Sequence, residues 1–415
     1  MSKRRVVITG LGTINAIGNN VEETWANLLA GNSGIRRITK IENIEAYASQ
    51  IAGEIKDYDP LQHFEKKKIK KMDLYTQYAL IAAKEAMESS GLIDADFDHD
   101  RAGSLISTGI GGMLTFEKEA QKLAAKGPRR VSPMFIPKMI SNIGTAEVAI
   151  KYNLRGINFN IASACASANH ALGTALRSIQ YGDADIILSG GAEASVTPLA
   201  VAGFSSMKAL STRNDDPQTS SRPFDKERDG FVIGEGGAVL VLEELEHALN
   251  RGANILAELV GYGATCDAYH ITAPAPNGEG GARAIVAALK DAGIKPEEVD
   301  YVNAHGTSTP LNDKNETAAF KTVFGDYASS LKISSTKCMT GHTLGAAAAI
   351  EAIACIKSIQ TGMIHPTINQ ISPDPECDLN YTPNKAVKCE VNIAVNNSLG
   401  FGGHNGVVVI KKYTK

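Results

Sequence analysis

Cys165, in the stretch NIASACASANHALG (160–173), has a thiol that could act as a nucleophile. It follows a predicted strand and opens a predicted helix, and its neighbours are small enough to leave room for a substrate. Because unpaired N–H groups at a helix N-terminus favour a thiolate, we expect the pKa of Cys165 to be lowered. The alternative is an inert buried thiol, and this stretch alone leaves both open.

Two histidines follow other predicted strands. His305 lies in NAHGTSTPLND (303–313) and His342 in KCMTGHTLGAAAAIEAI (337–353). Functional loops collect at the carboxyl ends of parallel strands, so we expect both histidines to converge with Cys165. Each alone could be an ordinary loop or capping residue. The spacing matches neither a finger-type site nor HExxH, and no metal is predicted.

Glu351 lies in the apolar run AAAAIEAIACI. A buried carboxylate is costly without a partner, so a cation or a hydrogen-bond network should meet it. Lys337 is the nearest candidate in sequence. A Lys–Glu pair on either side of His342 would fix the orientation of that ring.

The glycine-rich stretch NNSLGFGGHNG (396–406) joins two predicted strands. It is either a plain hairpin or a loop that approaches a ligand, with Phe401 as a movable plug and N–H groups directed at an oxyanion. No GK[ST] follows, and GLGTIN (10–15) lacks the last glycine of a dinucleotide fingerprint. We therefore expect no bound nucleotide cofactor.

These residues must be positioned by short apolar strands that alternate with Ala-rich helices. Strands are predicted at 5–10, 101–108, 156–163 and 184–191, with five more in the C-terminal part, and a helix at 76–91. The alternation predicts α/β layers with largely parallel sheets. The polar stretch 211–230 is expected at the surface, although a functional lid is possible.

A short internal repeat in the sequence suggests that the chain consists of two duplicated halves. NIAS (160–163) precedes a helix that ends RSIQYG (177–182), and KISS (332–335) precedes one that ends KSIQTG (357–362). A duplication suits 415 residues, with a boundary near 248–254.

Composition narrows the class of protein. The net charge of −3 gives no basic field for nucleic acid, and no segment has the length of a signal h-region or a membrane span. The six cysteines form no regular framework and are expected to be free thiols. We expect a soluble cytoplasmic protein without membrane insertion.

SACASANHALG, NAHGTSTPLND, KCMTGHTLGAA and the GFGG loop, in this order, resemble the elongating β-ketoacyl-acyl-carrier-protein synthases, most of all the synthase II branch. The resemblance covers nearly the whole chain. It implies a thiolase-like α/β fold of two duplicated halves in five layers, α-β-α-β-α, and a homodimer. The halves would be residues 1–252, with the nucleophile, and 253–415, with the two histidines.

The resemblance implies a decarboxylative Claisen condensation on an acyl chain held by Cys165, as in fatty-acid elongation. His305 and His342 would stabilise the malonyl enolate, and Lys337 and Glu351 would organise the His342 side. Backbone N–H groups of Cys165 and Phe401 would form the oxyanion hole, and Phe401 would also gate the site. No free cofactor is implied, since phosphopantetheine arrives on the carrier protein.

Further positions follow from the same resemblance. Thr307 and Thr309 would contact the phosphopantetheine arm, and the acyl pocket would be lined by Ile110, Phe204 and, across the dimer, Phe135. Ile110 favours synthase II over synthase I. The basic residues expected to dock the acyl carrier protein are Lys67, Lys70, Lys71, Arg129, Arg130 and Lys208.

Other activities remain open. A degradative thiolase is disfavoured because the final glycine loop has Phe401 and no cysteine. A polyketide ketosynthase shares the Cys–His–His set. A non-catalytic partner resembling a chain-length factor would lack the nucleophile, which is present here.

Overall fold

A computed structural model describes residues 3–414 of the chain. Within this range the backbone forms thirteen strands. In chain order they are β1 (Val6–Asn15), β2 (Arg36–Arg37), β3 (Ile51–Ala52), β4 (Ala102–Ser107), β5 (Ile186–Glu193), β6 (Gly236–Glu244), β7 (Ala257–Cys266), β8 (Tyr301–Asn303), β9 (Lys332–Ser334), β10 (Met363–Ile364), β11 (Val387–Lys388), β12 (Ile393–Gly400) and β13 (His404–Lys411).

Fourteen α-helices lie between these strands in the described part of the chain. They are α1 (Val21–Ala30), α2 (Lys66–Ile69), α3 (Leu74–Ser90), α4 (Met113–Lys126), α5 (Phe135–Met139), α6 (Ile143–Tyr152), α7 (Ser167–Tyr181), α8 (Pro198–Ser206), α9 (Pro217–Ser220), α10 (Leu245–Asn250), α11 (Glu279–Ala292), α12 (Pro310–Phe324), α13 (Lys337–Thr340) and α14 (Ala347–Thr361). Helix α7 ends at Gly182, whose φ of 85° is readily adopted only without a Cβ.

Nine strands form one sheet in the order β4-β5-β6-β1-β7-β13-β12-β8-β9. Only the pairs β4/β5, β12/β8 and β8/β9 are parallel, and the five pairs between them are antiparallel. The expectation of largely parallel sheets was therefore wrong. Hydrophobic runs located most of the strands, but a buried run carries no information on the direction of its neighbour.

The layers follow from which helices cover each face. Helices α7 and α14 pack into a core that contains side chains from β4 and β5 and from β7 and β13, so they lie between the two halves of the sheet. Helices α3 and α6 cover the outer face of the β4–β1 half, and α11 and α12 cover the outer face of the other half. This is the predicted α-β-α-β-α arrangement of two similar halves.

Two local expectations differ from the structure. The segment 156–163 is an extended, partly exposed stretch beside β4, joined to that strand by one bridge at Asn158, and not a buried strand. The polar stretch 211–230 lies at the surface only in its first half, since no residue of 212–219 is buried. Most of 220–230 is buried, because Arg228 forms ion pairs with Asp313 and Asp374, and Asp225 accepts backbone N–H bonds.

One stretch, Leu344–Thr361, has the length and hydropathy of a membrane-crossing helix, but 89% of it is buried inside the protein. It comprises a short 3₁₀ turn and α14. Its apolar character is explained by its place between the two halves of the sheet, since a helix in such a position is apolar all round.

Candidate active site

A strained turn presents Cys165 immediately before α7. Ala164 has a φ of 50°, in the left-handed region that a residue with a Cβ rarely adopts. The turn is held by Ser167, whose hydroxyl accepts from the N–H of Ser163 at 2.8 Å and donates to the carbonyl of Ala164 at 2.6 Å. The turn before α7 thus places the thiol at the start of that helix.

His342 contacts the thiol directly. Its Nε2 lies 3.0 Å from Cys165 Sγ. Its backbone is bridged to Ile233, and its Nδ1 accepts the N–H of Leu344 at 3.3 Å. An Nδ1 that accepts leaves the proton of the neutral ring on Nε2, directed at the sulfur.

His305 follows β8 and faces His342, with the two ring centroids 5.3 Å apart and the rings nearly perpendicular. Its backbone N–H and that of Gly306 donate to the buried carboxylate of Glu316, at 2.6 and 2.8 Å. Asn397 donates to the same carboxylate at 2.7 Å. Burial raises the pKa of Glu316 to about 7.

Sequence reasoning missed Glu316. The signal was available, since it lies three residues after Asp313 and four before Phe320 on the buried face of α12. A carboxylate at apolar helical spacing predicts a polar network beneath that helix.

Lys337 and Glu351 form an ion pair that is almost completely buried, joining α13 to α14. Glu351 therefore meets a cation, Lys337, as the sequence predicts. The ammonium group of Lys337 is close enough to affect the protonation of Cys165 and of both histidines.

The protonation states are set mainly by burial. Burial, with Lys337 adding to the effect, holds the pKa of His305 and that of His342 well below 6.5, so both rings are neutral near pH 7. Burial raises the pKa of Cys165 to about 12, although Lys337 and a backbone hydrogen bond from Phe401 oppose the shift. The expectation of a lowered thiol pKa was wrong, because the sequence showed the helix start but not the loss of solvent around it.

The ligand atoms of Cys165, His305 and His342 all lie within 4.8 Å of one another, a spacing that also suits a metal ion. Lys337 argues against that use of the cluster, because its buried positive charge would repel a metal cation. Three such groups around one cavity are instead able to hold an acyl group on sulfur and donate hydrogen bonds to a developing oxyanion.

The glycine-rich loop connects β12 to β13 and closes on the nucleophile. A Cβ on Gly400 would lie 2.9 Å from the carbonyl oxygen of Ser163 and 3.2 Å from the backbone nitrogen of Cys165. Gly402 and Gly403, with φ of 85° and 74°, complete the turn. Glycine at these positions lets the backbone of Phe401 reach the sulfur.

A cavity of about 520 Å³ opens beside the thiol. Of the positions predicted to bind substrate, Ile110, Phe204, Thr307 and Thr309 line it, as does Phe401. The hydroxyls of Thr307 and Thr309 lie 2.9 Å apart. Phe135, in α5, does not line this cavity within a single chain.

The six residues predicted to dock a carrier protein are all exposed. Lys208 lies at the mouth of the cavity. The others are on and just after α2 or in the 3₁₀ turn after α4: Lys67, Lys70, Lys71, Arg129 and Arg130.

Comparison with known protein families gives two matches. The family described as "Beta-ketoacyl synthase, N-terminal domain" matches residues 3–248, and "Beta-ketoacyl synthase, C-terminal domain" matches residues 256–370. The division of the chain at 252/253 remains a prediction.

Curated relatives are similar over their full length. A protein of Staphylococcus aureus (strain N315) named 3-oxoacyl-[acyl-carrier-protein] synthase 2 is 52% identical over 410 residues, which cover 99% of each chain. A Synechocystis protein of the same name is 49% identical over 413 residues, covering 100% of this chain and 99% of that one.

Solved structures include a type II polyketide ketosynthase in complex with its acyl-carrier protein, with a TM-score of 0.92 and 39% identity over 99% of this chain and 100% of that one. A β-ketoacyl synthase from Burkholderia phymatum STM815 has the same TM-score and coverage at 33% identity.

Proposed function

The chain belongs to the β-ketoacyl synthase family, and on that premise we propose that it catalyses the decarboxylative Claisen condensation of fatty-acid elongation, as a 3-oxoacyl-acyl-carrier-protein synthase of the synthase II type. One observation carries the assignment of the site. Cys165 Sγ lies 3.0 Å from Nε2 of His342, and His305 faces the same point across the cavity.

The first step loads the acyl chain. The sulfur of Cys165 attacks the carbonyl of an acyl thioester, the bond from that carbonyl to the sulfur of phosphopantetheine breaks, and the released arm takes the proton of Cys165. Because burial raises the pKa of the free thiol to about 12, the Nε2–H of His342 and the N–H of Phe401 must stabilise the thiolate as it forms.

The second step extends the chain. The bond from the malonyl thioester to its carboxylate breaks, carbon dioxide leaves, and the electron pair forms an enolate. Neutral imidazoles of His305 and His342 donate hydrogen bonds to its oxygen without adding a buried charge. The enolate carbon attacks the acyl carbonyl, and the carbon–sulfur bond to Cys165 breaks, giving a 3-oxoacyl product two carbons longer and a thiolate that takes a proton from water. The balance needs no free cofactor.

Two further groups serve these steps. The backbone N–H of Phe401 reaches the sulfur, and Gly400 lies against the backbone nitrogen of Cys165, so the N–H groups of Cys165 and Phe401 suit the oxyanion of the tetrahedral intermediate. Thr307 and Thr309 line the route to the sulfur and offer hydroxyls to the phosphopantetheine arm.

A second chain completes the acyl pocket in this proposal. Phe159 is exposed (42%) on the extended segment 156–163, and Ile136 is exposed (52%) on α5, the helix that begins at Phe135. The segment flanks the edge strand β4 and is joined to it by one bridge, at Asn158. Such an edge is suited to pairing with a copy of itself, which would bring Phe135 of the second copy to the pocket.

The partner that delivers both substrates is an acyl carrier protein. Exposed Lys67, Lys70 and Lys71 give a local positive charge to a chain of net charge −3, and Lys208 stands at the cavity mouth. Such a patch would steer an acidic carrier to the site. We place the reaction in the cytoplasm.

The test is a condensation assay with acyl and malonyl carrier proteins, read by product mass. The proposal predicts one product extended by two carbons, with release of one carbon dioxide for each. A polyketide ketosynthase, suggested by the 39% identical neighbour, would instead extend one chain repeatedly to a poly-β-keto product. If no chain is extended, the result would favour a non-catalytic partner protein that resembles a chain-length factor.

A further inference from the structure

Glu193 is a buried carboxylate at the end of β5 that the steps above do not use. Its exposed fraction is 0%, and its hydrogen-bond partners among residues 3–414 are backbone amides and hydroxyls, with no cation among them. A buried carboxylate without a cation is tolerated only when hydrogen bonds satisfy its oxygens. The segments that carry the four donors are therefore the ones that Glu193 holds in place.

The two oxygens have different partners. Oε2 accepts the backbone N–H of Gly109 at 2.7 Å and that of Gly345 at 3.1 Å. Oε1 accepts the hydroxyls of Thr108 at 3.0 Å and Ser195 at 3.1 Å. Oε2 thus joins the loop of Gly109 to the loop of Gly345, which are distant in sequence.

Both loops lead to the reaction site. Gly109 immediately precedes Ile110, which is 40% exposed and lines the cavity with Cys165. Gly345 follows Leu344, whose N–H is the donor to Nδ1 of His342.

The loops also touch without an intervening side chain. A Cβ on Gly345 would lie 2.1 Å from the backbone nitrogen of Gly109. Movement of one loop must therefore be taken up by the other or by the hydrogen bonds to Glu193.

We propose that Glu193 is a positioning residue that couples the acyl pocket at Ile110 to the orientation of His342. In this proposal a long acyl chain on Cys165 displaces Ile110, which lines the same cavity, and Glu193 holds the loop of Gly109 against the loop of Gly345. The inference rests on the proposed condensation, since it concerns how that reaction depends on chain length. Its consequence is that loss of Glu193 impairs extension of long chains more than that of short ones.

The geometry distinguishes the hydrogen bonds of Glu193 from its charge. In Glu193→Gln, an amide oxygen at the Oε2 position keeps both backbone N–H bonds. The amide nitrogen can then donate to the hydroxyls of Thr108 and Ser195, which are able to accept. Glu193→Gln is therefore the conservative variant, and Glu193→Ala leaves two buried N–H groups unpaired.

The experiment compares single-turnover acylation of Cys165 with condensation by the preformed acyl-enzyme, using hexanoyl and myristoyl carrier proteins. For Glu193→Ala we expect acylation and condensation, which both use His342, to fall by about 10-fold or more with myristoyl but only by about 3-fold with hexanoyl. Glu193→Gln should stay within about 3-fold of wild type for both chains, because it keeps the hydrogen bonds.

Thr108→Val supports the test if Glu193→Ala does not fold. It removes one hydroxyl that donates to Glu193 and accepts from the N–H of Gly111 at 3.1 Å. We expect a smaller loss in the same direction, again greater for myristoyl. Glu54→Ala is the matched control, because Glu54 is another buried carboxylate that accepts backbone N–H bonds, from Thr39 and Lys40, and it is expected to show no dependence on chain length.

Equal losses for both chains in Glu193→Ala or Thr108→Val would overturn the coupling, as would a loss in Glu193→Gln as large as that in Glu193→Ala. Failure of the wild type to form an acyl-enzyme at all would instead overturn the proposed function. The two failures are therefore separate results of the same assay.

Discussion

At the scale of single residues, the two histidines differ in what they touch. His342 lies against Cys165 Sγ and receives a backbone hydrogen bond on Nδ1, whereas His305 faces His342 and has its backbone held by Glu316. The same type of side chain therefore lies at hydrogen-bond distance from the sulfur in one case and within 4.8 Å of it, without a hydrogen bond, in the other.

This difference predicts a separation of the two steps. His305→Ala should retain acylation of Cys165 within about 5-fold while condensation falls by about 10²-fold or more, the usual effect of losing a positioned hydrogen-bond donor. His342→Ala should slow both steps, because its Nε2 contacts the sulfur. Rapid-quench measurement of each step gives the answer, and equal losses of acylation in the two variants would contradict the assignment.

The protonation of the histidines predicts a pH profile. Both pKa values are held well below 6.5, so condensation by the preformed acyl-enzyme should be flat as the pH falls through 6.5 and decline only at lower pH. Using the acyl-enzyme removes the titration of Cys165. A decline centred near 6.5 would show that the rings titrate as if exposed.

The same shifts affect stability with a definite sign. Below pH 6.5 the unfolded chain binds protons at His305 and His342 and the folded chain does not, so the free energy of unfolding falls with decreasing pH. The sequence predicted these two residues but not their protonation, because burial depends on contacts between distant segments. Glu193 was missed for the same reason, whereas Glu316 was missed although its spacing on α12 carried the signal.

At the scale of elements, the ion pair of Lys337 and Glu351 joins two helices around His342. The pair is almost completely buried, so losing one member leaves an uncompensated charge. We expect Lys337→Met alone or Glu351→Leu alone to lower the free energy of unfolding by about 3–5 kcal/mol, measured in urea.

The double variant Lys337→Met with Glu351→Leu is the control for the unpaired charge. It should recover most of the stability, because neither charge remains buried. Its condensation rate should stay low, since the orientation of His342 depends on the pair. Additive losses of stability in the double variant would show that the two side chains are not coupled.

Prediction of the elements succeeded where the signal was local. The helix expected at 76–91 is α3, and the strand expected at 184–191 overlaps β5 over six residues, 186–191. Strand direction, the strand at 156–163 and the surface position of 220–230 were predicted wrongly. The last two depend on residues more than fifty positions away, such as Asp313 and Asp374 for Arg228, and strand direction depends on the neighbouring strand, none of which periodicity encodes.

At the scale of the whole molecule, the proposed dimer predicts a loss of assembly when a charge is placed on the segment beside β4. Phe159→Asp would put a carboxylate where the second copy is expected, so we expect a monomer by light scattering and a weaker preference for long acyl chains. Val286→Asp is the control, because Val286 is also exposed (52%) but lies on α11 in the outer layer of the other half. A wild type that is monomeric at micromolar concentration would rule out the dimer.

The central claim is that Cys165 carries the acyl chain. Its most direct test is the intact mass of the protein after mixing with a medium-chain acyl carrier protein, for the wild type and for Cys165→Ala. We predict that the wild type gains one acyl group, that the gain is absent in Cys165→Ala, and that malonyl carrier protein then discharges the acylated wild type. An acyl group gained equally by Cys165→Ala, or no gain by the wild type with carrier-bound chains of any length, would contradict the account.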